Sequence, residues 1–139
     1  MSEPKPPTRV SLDWQGADAF TATLGDRTLA VDGDGKVGPS PMQLVACGVA
    51  SCMAIDVASI VTKGRHPLQA LSVRLEGHRA PGPPARYTGF DLHFTVTGNV
   101  PHDAVARAIA LSRDKYCSVW HSMRQDIAFD VRFEIVAGA

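Results

Sequence analysis

Two of the three cysteines in this 139-residue chain stand where thiol chemistry can use them. Cys52 lies in the middle of a long, nearly all-apolar segment, and Cys117 ends a second helical segment in Lys115-Tyr116-Cys117-Ser118-Val119. If the fold brings the two sulfurs together, one can attack an oxidant and the other can resolve the product as a disulfide. The same donor types admit a metal reading, since thiolate, carboxylate and imidazole all bind zinc, with Cys52, Cys117, Asp56 and His121 as the candidate ligands. Those four are scattered and fall in no zinc-finger or CxxC spacing. A third reading is a non-catalytic protein whose cysteines line an apolar pocket for a small-molecule or lipid-like ligand.

Around Cys52, the residues Gly48, Cys52, Asp56 and Ser59 follow one another at four, four and three positions, which puts them on one narrow helix face. The bland interpretation is that small side chains let another helix come close, with Asp56 satisfied by a hydrogen-bonded partner. In the thiol interpretation an ionised Asp56 one turn away disfavours a thiolate, and a cysteine well inside a helix gains little from the terminal dipole. A positive group has to offset both. Cys47 lies about 140° around the helix from Cys52 and reads as a buried small hydrophobe. Near Cys117, the run Ser118-Val119-Trp120-His121 either continues the second helix or opens a new turn capped by Ser118. In the second case nearby backbone N–H groups favour a Cys117 thiolate. His121, four residues on, is within reach of the same sulfur or is simply a surface residue.

The elements that must position these groups read clearly. Ser40 as N-cap, Pro41 at the first helical position and Gln43 three residues after the cap mark a helix start with a capping box. The helix is expected to end near Lys63-Gly64. Its span Leu44 to Val61 has no charge but Asp56 and is long enough for a bilayer, yet Asp56 would cost about 2.5–3.5 kcal/mol at a bilayer centre. A soluble helix buried on several sides is the expectation, and a domain this small can hardly cover it alone, so a homodimer follows. The second helix is expected from His102 to about Tyr116, with Val105, Ala108, Ile109, Ser112 and Tyr116 on one stripe. Elsewhere apolar and polar residues alternate with the strand period: Val10 to Trp14, Phe20 to Leu24, Thr28 to Asp32, Leu71 to Leu75, Phe90 to Val96, and Ile127 to Ile135. The order βββ-α-ββ-α-β is that of an α+β domain, its sheets read as antiparallel.

Fourteen Lys/Arg balance fourteen Asp/Glu without a like-charge run, which argues against nucleic acid or anionic lipid as partner. One domain over 1–139 is expected, with residues 1–8, polar and proline-rich, as a flexible tail. The N-terminus lacks the apolar stretch of a secretory signal, and three cysteines make no disulfide framework, so a cytoplasmic chain with reduced thiols is expected.

The segments GPSPMQLVACGVASCMAIDV and AIALSRDKYCSV resemble the first- and second-cysteine segments of the OsmC/Ohr family, the osmotically inducible and organic hydroperoxide resistance proteins. The likeness extends over nearly the whole chain, and Cys52 to Val57 looks most like a less characterised branch. The resemblance implies an intertwined homodimer with antiparallel sheets around two central helices. It implies a thiol peroxidase for organic hydroperoxides in oxidative stress defence, with Cys52 peroxidatic and Cys117 resolving. An external dithiol, lipoyl groups being the family's usual partner, would reopen the disulfide, and no metal or bound cofactor is required. Better known branches carry a glutamate ten residues before the first cysteine, ion-paired to a strand arginine; here that position is Met42, beside the neutral Gln43. Arg27 is the candidate activating arginine and Arg9 another, each also readable as an exposed strand residue without a site role.

Overall fold

The computed structural model describes residues 3–138, and contacts divide the chain into two compact units, one up to Val45 and one from Ala46 onward. Of the tail expected over residues 1–8, residues 1 and 2 lie outside the described residues, and residues 3–8 are exposed without helix or strand.

The first unit is an antiparallel meander of β1 (Ser11–Gly16), β2 (Ala19–Leu24) and β3 (Arg27–Asp32). Pairing of Leu12 with Ala22 and of Ala22 with Leu29 puts these residues in one row across the sheet, with Trp14, Phe20 and Val31 in the next row on the same face. Leu12 and Trp14 are nevertheless more than half exposed. After β3 the chain folds around the buried Asp32, whose carboxylate accepts the backbone N–H groups of Asp34, Lys36 and Val37 at 2.9, 3.2 and 3.1 Å. That loop delivers Ser40, where helix α1 (Pro41–Lys63) starts as its sequence signature expects. The Ser40 N–H donates to Gln43 Oε1 at 2.9 Å, and the Gln43 N–H donates to Ser40 Oγ at 3.2 Å.

The second unit takes α1 from Ala46 and adds β4 (Leu68–Arg79), β5 (Tyr87–Gly98), α2 (His102–Leu111), a five-residue π turn (Ser112–Tyr116), α3 (Ser118–His121) and β6 (Ala128–Val136). The sheet order is β4-β5-β6. The expectation of purely antiparallel sheets needs correction at its last ladder: β4 pairs β5 antiparallel, but β6 pairs β5 parallel. The helical crossover from α2 to α3 carries the chain back along the sheet before β6 begins, the connection that parallel pairing requires. Register then lines up Leu71, Val96 and Ile135, then Val73, Phe94 and Phe133, then Leu75, Leu92 and Val131 on one face.

The buried core of this unit comprises Phe90, Leu92, Phe94 and Val96 of β5, Val105, Ala108 and Ile109 of α2, and Val49, Met53, Val57 and Val61 of α1. The α1 residues recur every four positions, so one stripe is covered, each side chain contributing about 1.5–3 kcal/mol of burial. Expected burial of this helix on several sides is not met within one chain. Ile55 stays 68% exposed, and Cys47, expected inside as a small hydrophobe, is exposed because it lies off the covered stripe. Among the described residues α1 is the one helix with the length and apolarity to cross a membrane, a profile that core helices of soluble proteins share.

Candidate functional site: a cysteine pair with a carboxylate

Cys52 and Asp56 stand one helical turn apart on α1, and the chain returns to them at Cys117, between the π turn and α3. The Cys52 and Cys117 sulfurs and a carboxylate oxygen of Asp56 all lie within 4.8 Å of one another. Cys117 is fully buried; Cys52 and Asp56 are half-buried.

The local sequence builds this meeting in three steps. The α-helical pattern of α2 gives way at Ser112, where the Cys117 N–H donates to the Ser112 carbonyl at 2.7 Å, five residues back, and the widened turn brings Cys117 round. The second helix therefore does not run as regular α-helix to Tyr116, as its apolar stripe had suggested. Cys117 then serves as N-cap of α3, its Sγ accepting the Trp120 N–H at 3.4 Å, so the cap is the cysteine and not Ser118. Finally Trp120 anchors α3 against β6, its ring 4.2 Å from that of Phe129, while Gly48 faces Val119: a Cβ at Gly48 would lie 3.6 Å from Val119 Cγ1. Within this unit the small residue of the α1 face is thus where α3 comes close.

Ser112 was visible in the sequence only as a polar member of an apolar stripe. It is fully buried, and its Oγ donates to Asp56 Oδ2 at 2.7 Å. Burial pushes the Cys117 thiol up to about 11, and the neighbouring Cys52 and Asp56 act in the same direction, against the Trp120 N–H that favours the thiolate. The turn-capping N–H expected to acidify Cys117 is present, but loss of water outweighs it. At neutral pH Cys117 is a thiol.

Gln43, Arg27 and Arg9 belong to the first unit and His121 to the second. Gln43 is engaged in the capping box of the first unit. Arg27 opens β3 as an exposed residue, and Arg9 is exposed ahead of β1. His121 closes α3, exposed, and is not among the donor atoms that cluster with the two sulfurs. A cavity of about 610 Å³ opens beside Asp56, walled by Ile60, Leu111 and Tyr116 and bordered by Lys63 and Arg107; Asp56, and neither cysteine, lines it. Among the described residues a second group with metal-binding atoms is Glu76, His78 and Asp91, all exposed on the polar sheet face, where His78 Nε2 and Asp91 Oδ2 are 2.8 Å apart. Only the pairing register of β4 with β5 reveals that group.

Residues 33–132 match the family model described as OsmC-like protein. The protein YhfA of Escherichia coli strain K12 is 40% identical over 132 residues, which cover 93% of this chain and 98% of YhfA. The crystal structure of a hypothetical protein from Aquifex aeolicus VF5 superimposes with a TM-score of 0.89 at 23% identity, covering 97% of this chain and all of that one. An organic hydroperoxide resistance protein OsmC from Legionella pneumophila shares the fold with a TM-score of 0.71 at 16% identity, over 95% of this chain and 99% of its own.

Proposed function

Because this chain belongs to the OsmC-like protein family, we propose that it is a thiol-dependent peroxidase that reduces organic hydroperoxides through Cys52 and Cys117. The observation that carries this reading is the meeting of both sulfurs and the Asp56 carboxylate within 4.8 Å. The half-buried Cys52 attacks the terminal peroxide oxygen; an S–O bond forms, the O–O bond breaks, and the alkoxide leaves as the alcohol after taking a proton. Cys117, a buried thiol at rest, attacks the sulfenic sulfur of Cys52; the S–S bond forms as the S–O bond breaks, and Asp56, oriented by Ser112, takes the thiol proton and passes it to the departing hydroxide, which leaves as water. An external dithiol, with lipoyl groups as the expected carrier, then reduces the disulfide, and the cycle needs no metal or bound cofactor. Arg27 is the candidate activating cation, and Met42 stands where the better known branches carry the glutamate that would pair with it.

The biological unit in this reading is a homodimer of one OsmC-like domain per chain. The exposed Ile55 side of α1 and the exposed Leu12 and Trp14 of the meander support it, because apolar patches of this kind mark association surfaces. Balanced charge favours neither nucleic acid nor membrane as partner, and the protein is expected to work in the cytoplasm in oxidative stress defence. The cavity beside Asp56 favours one alternative, a non-catalytic binder of a small or lipid-like ligand.

The test titrates reduced protein with an alkyl hydroperoxide and with hydrogen peroxide and maps oxidised cysteines by mass spectrometry. The expected result is a Cys52–Cys117 disulfide, faster with the alkyl hydroperoxide, and loss of dithiol-driven turnover in Cys52→Ser. Full turnover in that variant, or no peroxide consumption by the wild type, overturns the peroxidase and leaves the binder.

A further inference from the structure

The reduced cysteine pair also has the donor set of a borderline-soft metal site. We propose that Cys52, Cys117 and Asp56 bind one zinc ion, and that zinc and peroxide compete for the same two sulfurs. Two thiolates and one carboxylate are ligands zinc accepts, and tetrahedral zinc holds such donors about 3.5–3.8 Å apart. Here they lie within 4.8 Å, so a contraction of about an ångström closes the site. Cys52 and Asp56 share one helix face, one turn apart.

The donors already carry the outer hydrogen bonds that metal ligands need. Ser112 Oγ holds Asp56 Oδ2 at 2.7 Å and leaves the second carboxylate oxygen for the ion, and the Trp120 N–H points at the Cys117 sulfur from 3.4 Å. Three protein ligands leave the fourth position to water, and Asp56 faces the cavity through which ion and water reach it. Binding replaces two thiol protons by one dication, and the residual negative charge is next to a cavity bordered by Lys63 and Arg107. The group on the sheet face suits zinc less well: Glu76, His78 and Asp91 are all exposed, and His78 already hydrogen-bonds Asp91. Disulfide formation consumes both sulfur ligands, so oxidation must expel the ion and zinc must protect the thiols. Zinc here is an occupant of the resting site rather than a cofactor; the metal site stands on the donor geometry, and its competition with peroxide rests on the peroxidase reading.

The experiment uses chelator-treated, reduced full-length protein titrated with zinc chloride against a chromogenic chelator, and with cobalt chloride to read thiolate-to-metal charge transfer. The expected result is one ion per chain with cobalt–thiolate absorption, weakened at least about tenfold by Cys52→Ser and by Asp56→Asn, unchanged by His78→Ala, and released by one equivalent of alkyl hydroperoxide. Cys52→Ser alters a half-buried position, and its folding is checked by circular dichroism; Asp56→Asn supplies the second reading if it fails to fold. No stoichiometric binding, binding indifferent to both variants, or loss confined to His78→Ala overturns the proposal. Peroxide turnover without zinc binding defeats the metal site alone, and zinc binding without turnover defeats the peroxidase alone.

Discussion

Joining Cys52 to Cys117 should make the protein measurably harder to unfold. The bond would close a loop of about 65 residues, for which loss of unfolded-chain entropy corresponds to about 4 kcal/mol at 25 °C. With an unfolding entropy of about 0.3 kcal/mol/K for a chain of this length, that is a rise of about 15 °C in Tm as an upper bound. Native strain reduces it. The sulfurs lie within 4.8 Å and a disulfide needs about 2.05 Å, so the two side chains must still close on each other, and the absence of a side chain at Gly48 leaves Val119 of α3 some room to follow. A net rise of about 5–15 °C is expected. The assay is thermal unfolding followed by circular dichroism, on protein oxidised with one equivalent of alkyl hydroperoxide and on the same protein kept in dithiol. The rise should vanish on reduction and be absent from Cys52→Ser and Cys117→Ser. An unchanged or lowered Tm on oxidation, or an equal rise in either variant, would refute the pairing.

Ser112→Ala removes the buried hydroxyl that donates to Asp56 and should cost about 1–3 kcal/mol in urea denaturation; a loss below about 0.5 kcal/mol would mean that water replaces the hydroxyl at no cost. Asp32→Asn should destabilise the protein at neutral pH, because the backbone N–H groups of Asp34, Val37 and Lys36 hold the Asp32 carboxyl below its ordinary value of 3.8. The stability that a depressed carboxyl contributes is full above 3.8 and is lost as pH falls through its lowered folded-state value, so the gap between wild type and variant should be full at neutral pH and close in stronger acid; a gap that persists there contradicts the assignment. Ile55→Glu should convert a dimer to monomer in sedimentation velocity, and a variant that sediments like the wild type removes this face of α1 from the interface.

What the residues disclosed beforehand were the features that repeat locally. Alternation along β5 and β6, the Ser40–Gln43 capping box and the shared face of Cys52 and Asp56 all follow from periodicities of two and 3.6, and each is present in the structure. The features that escaped depend on residues far apart in sequence. The parallel pairing of β6 rests on where the crossover sets the chain down, and alternation looks the same in either direction. Cys47 looked like a core residue because apolarity nearly all round α1 cannot say which stripe is covered within one chain. Ser112 is 56 positions from Asp56, so its stripe gave a location but not a partner. Cys117 was expected to gain acidity from a new turn; the donor is there, and the extent of burial that overrides it depends on the packing of α3.

The π turn lets the chain ahead of the thiol vary in count. A turn of this kind holds one residue more than α geometry needs, so deleting a single residue between Leu111 and Cys117 lets the helix close normally and leaves the following side chain pointing nearly as before. Two proteins that differ by one residue in this stretch can therefore keep the same meeting of sulfurs, and a gap there is no sign that the pair is lost.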